Sequence, residues 1–439
     1  MEIDSAVRAA AADPERLEQL YRSARQAGRA DAFEAAILAC YGASPDNVLY
    51  AAWFHRLRCG ADGGEQQARS GPNWIAAVPL SLMTGLIFWA LSDFERLTLL
   101  GGTPQLFLWW SPIAAMSALV YLTVTSRRAH RRAAALGLGL SAAAAYVALL
   151  APSLYPAWKG SQFALLGVIH VPLLCWGALG IHVLGLRSST EDRFAFLIRS
   201  IEVAITAGLF LAAGMAFGGI TVGMFAALGI DLPEIWLRLV AAGGFGLLPV
   251  LAVATTYDPR VSPAAQDFSQ GLSRFVATMM RLLLPLTLAV LIVYVVVIPF
   301  NFRAPFEDRD VLIVYNLMLF AILGLLLGAT PIRAENLSPS LRRWLRAGIL
   351  AVAILVELVS LYALSATVYR TVQGGWTPNR LTIIGWNVIN MGILALVLTR
   401  LFRDRGERWV EGVQSAFSWA TNAYLLWGAL LLVAVPVLF

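Results

Sequence analysis

Three observations predict an all-α, polytopic membrane bundle of about eleven spans behind a small N-terminal helical domain. Of the 439 residues, 59% are hydrophobic and only 14% charged, whereas soluble domains run near 45–50% and about 25%. Mean hydropathy is +0.69 across the whole length, too high to come from a single anchor. From Trp74 onward, apolar stretches recur at the length of about 20 residues that crosses about 30 Å of hydrocarbon. These features exclude an ordinary soluble enzyme, a disordered chain and a disulfide-rich secreted module. The three cysteines, Cys40, Cys59 and Cys175, lie far apart without a CxxC pair, so neither a disulfide framework nor a zinc site is expected.

The chain divides at residue 72. Residues 1–72 carry 8 Arg against 10 Asp and Glu and contain no apolar run, so no cleavable signal peptide is expected. They read as short cytosolic helices. Asp13-Pro14 supplies an N-cap and first helical position, and Gly28 a stop. A second helix covers about 31–41, and a third starts at Ser44-Pro45 and runs toward Arg58. One such hairpin with an added helix is similar in outline to a tetratricopeptide unit. Gly60 to Gly71 reads as a linker.

Residues 73–439 form the transmembrane domain, with spans expected at about 74–92, 105–125, 133–151, 161–186, 203–229, 238–256, 277–300, 311–329, 347–367, 381–399 and 417–439. Helices are required because lipid offers backbone N–H and C=O groups no other partner. Eighteen of the twenty-five basic residues after position 72 fall on one set of alternating loops and seven on the other. Positive charge resists translocation, so this asymmetry predicts a cytoplasmic N-terminus and, with an odd number of spans, an extracytoplasmic C-terminus. Two connections look amphipathic: Phe268, Leu272, Phe275 and Met279 at helical spacing, and Trp344 after Arg342-Arg343. They read as interfacial helices, or as a docking surface for a soluble partner or anionic lipid.

Several runs are familiar as a set: "RSIEVAITAGLFLAAG" from Arg199, "LLPVLAVATTYDP" from Leu247, "RLLLPLTLAVLIVYVVVIPFNFRAPFEDRDVLIVYN" from Arg281 and "VYRTVQGGWTPNRLTIIGWNVIN" from Val368. Over about residues 193–408 the chain resembles the uncharacterised bacterial polytopic family called domain of unknown function 4153. The resemblance implies a bacterial inner-membrane protein. It supplies no substrate, cofactor or catalytic residue.

Catalytic signatures are missing. There is no GxxxxGK[ST], HExxH, GxSxG or dinucleotide GxGxxG motif, so no cofactor or metal is expected and an enzyme is disfavoured. His170 and His182 are twelve residues apart, about 120° off a common face, which suits packing roles better than a metal pair. Glu202 is expected to pair with Arg199. Gly214/Gly218 and Gly219/Gly223 in the fifth span suggest close helix approach, or a break near Gly218-Gly219.

The costliest residue is Glu357, ten residues from either end of its span and about 15 Å deep. A carboxylate there must face protein or water. Asn387 and Asn390 share a face of the next span, and adjacent antiparallel helices would set Asn390 near Glu357, with Asn316 able to join. This cluster reads either as a register-fixing hydrogen-bond set or as a substrate or proton pathway. The outer loops offer Arg303, Arg309, Arg370, Trp376 and Arg380, expected to form inter-loop ion pairs and an aromatic belt, or to recognise an anionic group. The expected function is a permease or a lipid or small-molecule transporter. The rival is a non-catalytic sensor or assembly scaffold acting through residues 1–60 on a cytosolic protein. The expected partners are the lipid bilayer and that protein, and no nucleic acid.

Overall fold

The computed structural model describes residues 2–26, 30–67, 71–98, 104–154, 157–404 and 408–438. It separates into two compact units, Met1–Gly71 and Pro72–Phe439.

The first unit holds α1 (Glu2–Ala9), α2 (Pro14–Gln26), α3 (Ala30–Ala43) and α4 (Val48–Gln67). Its core gathers Val7, Leu17, Phe33, Ile37, Tyr50 and Trp53, with the rings of Tyr21, Phe33 and Trp53 5.4–5.5 Å apart. Asp13 caps α2 as expected, its Oδ1 accepting from the Arg16 N–H at 2.9 Å. The cap of α4 is Asn47 rather than Ser44. Its Oδ1 accepts from the N–H groups of Leu49 and Tyr50, and its Nδ2 donates to the Ala11 carbonyl. The helix also runs on to Gln67, through the stretch expected as a linker.

The second unit is built of α5 (Trp74–Leu91), α6 (Gln105–Ser126), α7 (His130–Leu154), α8 (Ala157–Leu184), α9 (Thr190–Ala227), α10 (Glu234–Arg238), α11 (Gly244–Thr256), α12 (Gly271–Val297), α13 (Ala304–Glu307), α14 (Arg309–Ala329), α15 (Pro339–Gly374), α16 (Pro378–Arg403) and α17 (Arg408–Leu438). A π-helical turn over Leu239–Gly243 joins α10 to α11. Counting α10 to α11 as one, eleven helices among the described residues are long and apolar enough to cross a membrane. The chain is a multi-pass helical membrane protein. Among the described residues no strand forms, only a single bridge between Thr98 and Pro104.

Local chemistry sets several helix starts. Ser338-Pro339 and Thr377-Pro378 pair a hydroxyl cap with a proline at the first helical position, and Ser189 and Asp308 cap α9 and α14. Each cap supplies an acceptor for an N–H that has no partner within its helix.

α5, α6, α7, α8 and α11 pack as one group, and α12, α14, α15, α16 and α17 as another, with α8 and α9 against α17. The larger core runs through α14–α17, with Leu326, Ile349, Val352, Leu394, Val397 and Val413 all but inaccessible. α5 approaches α11 closely. A Cβ at Gly246 would lie 2.7 Å from the Gly85 Cα and 2.9 Å from the Thr84 carbonyl oxygen, so glycine is required there.

Three expectations are corrected. α9 runs unbroken through Gly218-Gly219, and it starts at Thr190, thirteen residues earlier than expected. Its glycines make little close contact: Gly218 meets Val240, while Gly208, Gly214, Gly219 and Gly223 have no atom within 4 Å of a Cβ position. The amphipathic segments are not separate interfacial helices. Leu272, Phe275 and Met279 belong to continuous α12, and Trp344 to continuous α15.

Candidate functional site

α15 and α16 are antiparallel neighbours, tied at one end by Arg346. Its guanidinium donates to the carbonyls of Leu401 at 2.6 Å and Asp404 at 3.1 Å. Glu357 lies eleven residues after Arg346, and Asn390 eleven before Leu401, about 16–17 Å along each helix. Eleven residues are three turns plus about 20°, so Glu357 lies on the line of α15 that Arg346 directs at α16. The matched depth expected from sequence is present. The hydrogen bond is not: Glu357 Oε2 and Asn390 Nδ2 are buried without a partner in the chain.

Asn390 instead bonds across to α17, its Oδ1 accepting from the Tyr424 hydroxyl. Asn387, one turn nearer the 374–377 loop and also 0% exposed, has neither its Nδ2 nor its Oδ1 satisfied. A buried polar group without a hydrogen bond costs roughly 1–3 kcal/mol by protein mutational measures. Turning either amide over leaves the same problem. Asn316 on α14 donates to the Leu312 carbonyl at 2.7 Å, while its Oδ1 is another buried atom without a partner.

An aromatic group stands beside these amides. Trp386 on α16 has its ring 5.1 Å from both Phe320 and Tyr424, which are 6.3 Å apart. Its indole N–H donates to His170 Nε2 at 3.2 Å, while His170 Nδ1 lies 2.8 Å from the Leu166 carbonyl. A carbonyl only accepts, so Nδ1 carries the proton and Nε2 takes the indole's. His170 is thereby a neutral imidazole with both nitrogens used. The packing role expected for it is what the geometry shows. Trp386, Tyr424 and Phe320 were not singled out by sequence reasoning. They lie 216, 34 and 66 residues from the groups they serve or flank, and an aromatic on an apolar helix carries no local mark of its partner. Among the described residues, no group of three or more His, Cys, Asp and Glu could hold a metal.

The loop residues behave differently from expectation. Arg370 donates to the Phe306 carbonyl at 3.2 Å and Arg380 to the Gly375 carbonyl at 2.6 Å. Neither has a carboxylate within salt-bridge reach among the described residues, so the expected inter-loop ion pairs are replaced by caps on chain carbonyls. Arg303 is exposed, and Trp376 is 64% exposed. The Arg309 side chain lies outside what the structure describes. The aromatic cluster is real: Phe306 packs within 5.5–6.0 Å of Phe302, Tyr362 and Tyr369.

Glu202 pairs with Arg199 as expected, but deep in the protein. Arg199 also donates to Ser273 at 3.0 Å and to the Asp267 carbonyl at 2.7 Å, and lies over the Phe268 ring. This node ties α9 to the segment leading into α12.

Compared with known proteins, the chain matches no protein-family model, no curated protein and no solved structure.

Proposed function

We propose that this chain is a permease of the bacterial inner membrane, moving a lipid or small polar molecule past the level of Glu357, Asn387 and Asn390. Asn387 carries the reading. A fully buried amide with neither end bonded within the chain calls for a partner from outside it. The Arg distribution supports a cytoplasmic N-terminus and an extracytoplasmic C-terminus in this reading. Kinship to the domain of unknown function 4153 family is likewise a proposal, supported by the four motifs from Arg199 to Asn390.

The test separates stability from binding. Asn387→Leu and Asn387→Val should each raise the melting temperature, by the equivalent of about 1–3 kcal/mol. Both should also lose the stabilisation that a panel of polar solutes and phospholipids confers on the native chain. A fall in melting temperature in both variants would mean that the amide holds the fold together, and the proposal fails.

A second reading, a sensor or assembly scaffold, is favoured by one observation: residues 1–71 possess a core of their own. Deleting them should abolish activity in a scaffold and spare binding at Asn387 in a permease.

A further inference from the structure

We infer that α14–α17 enclose a one-sided path for water, which reaches Glu357 from the end of the bundle bearing Trp376 and stops there. The inference rests on reading the Glu357–Asn387–Asn390 level as a functional site, and adds which face supplies it. Six residues of these helices have buried polar atoms with no partner in the chain: Asn316, Glu357, Ser360, Asn387, Asn390 and Trp427.

Their positions are ordered. Glu357 and Asn390 are the deepest, and the others lie toward the Trp376 end. Ser360 is three residues beyond Glu357, about 4.5 Å, and Asn387 three beyond Asn390. Trp427 passes Gly385 on the same side, its ring filling the space a Cβ there would need. Asn316 is four residues above Phe320, which packs at the level of Trp386. Farther out, Thr367, Thr371 and Thr382 continue a buried hydroxyl series, each bonded to the carbonyl four residues before it.

The other half of the same four helices is different in kind. From Glu357 to the Arg346 link the interior is Leu, Ile, Val and Ala with Trp409 and Phe417, and the polar groups these four helices bury there have partners in the chain. Gln414 donates to the carbonyls of Pro331 and Ile332, Ser418 to that of Gln414 and Thr330 to that of Leu326. Elsewhere in the second unit, unpartnered buried atoms occur singly, on Ser81, His182, Arg199, Arg281 and Tyr294. On α14–α17 themselves these atoms lie at Glu357 or toward the Trp376 end; Arg281 Nε, on α12 between Met280 against Gly328 and Leu284 against Gly348, lies on the other side. Water is the ligand this pattern fits, because the atoms include donors and acceptors, and one small molecule satisfies either at two to four bonds apiece. Through it, the Glu357 carboxyl exchanges its proton with one compartment only.

The test maps thiol accessibility in sealed vesicles. Single cysteines are placed along α15 as Thr371→Cys, Thr367→Cys, Ser360→Cys and Ala353→Cys, in a chain whose Cys40, Cys59 and Cys175 are replaced. A charged methanethiosulfonate added on the Trp376 side should modify the first three at rates falling with depth. The rate at Ser360→Cys should exceed that at Ala353→Cys, and that from the opposite side, by an order of magnitude. Equal labelling from both sides, or none below Thr371→Cys, would overturn the inference. Where a replacement compromises folding, a water-soluble carbodiimide applied to the unaltered chain decides: Glu357 should be modified from the Trp376 side alone. Modification only by a lipid-soluble carbodiimide contradicts the path. One-sided access with an Asn387→Leu variant that melts lower would leave the path standing and remove the permease.

Discussion

Asn387, His170 and Arg199 are three buried polar residues that reach the interior by different routes. His170 uses both ring nitrogens, so its burial is neutral and satisfied. Arg199 carries a charge, offset by the Glu202 carboxylate, a hydroxyl, a carbonyl and an aromatic face. Asn387 has none of these within the chain, which is why it and not the more conspicuous charge carries the proposal. The comparison yields two further outcomes. His170→Leu leaves the Trp386 N–H buried without an acceptor and should destabilise by about 1–3 kcal/mol, measured by thermal melting in detergent. Glu202→Leu strands Arg199 and should cost about 3–5 kcal/mol, since removing one partner leaves an uncompensated buried charge. Glu202→Gln keeps an acceptor for the guanidinium and should cost less.

At the level of helices, the number of spans was legible because hydrocarbon thickness imposes its length on every crossing. Helix ends were less so. Arg193, Arg199 and Glu202 look like loop residues in a sequence, yet α9 carries them: Arg193 donates to Ser188, and the segment from Asp267 to Ser273 folds over the Arg199–Glu202 pair. Glycines mislead for a related reason: spacing shows that a close approach is allowed, not which face meets a neighbour. The fifth-span pairs are largely open, while Gly85 and Gly246, in Ser81/Gly85 and Ala242/Gly246 pairs of the same spacing, hold α5 on α11. Glu357 and the asparagines stood out by cost and depth alone, whereas the His170–Trp386 bond, 216 residues apart in the chain, left no local trace. These contrasts predict opposite signs for one chemical change. Gly246→Ala should lower the melting temperature by forcing backbone apart. Gly223→Ala should leave it unchanged or raise it by up to about 1 kcal/mol through helix propensity.

For the molecule as a whole, two units with different chemistry follow from one composition boundary. The first unit should fold when residues 1–71 are expressed alone, giving a helical circular-dichroism spectrum. There the side-chain bond from Arg56 to Glu18, 2.7 Å long, holds the Glu18 carboxyl below its ordinary range. A depressed carboxyl stabilises the fold above its unfolded pKa, and that contribution is lost as pH falls through the folded value. Glu18→Gln should therefore flatten the acid side of the fragment's stability profile. The second unit is the membrane-spanning bundle, and on its α14–α17 the buried polar atoms without a partner in the chain lie at Glu357 or toward the Trp376 end. Eleven spans require the chain to cross the bilayer an odd number of times. Impermeant labelling of tags at both ends of the full-length chain, in right-side-out and inverted vesicles, addresses that directly: the two tags should react in opposite preparations. Reaction of both in the same preparation would contradict eleven crossings and the opposite placement of the two ends.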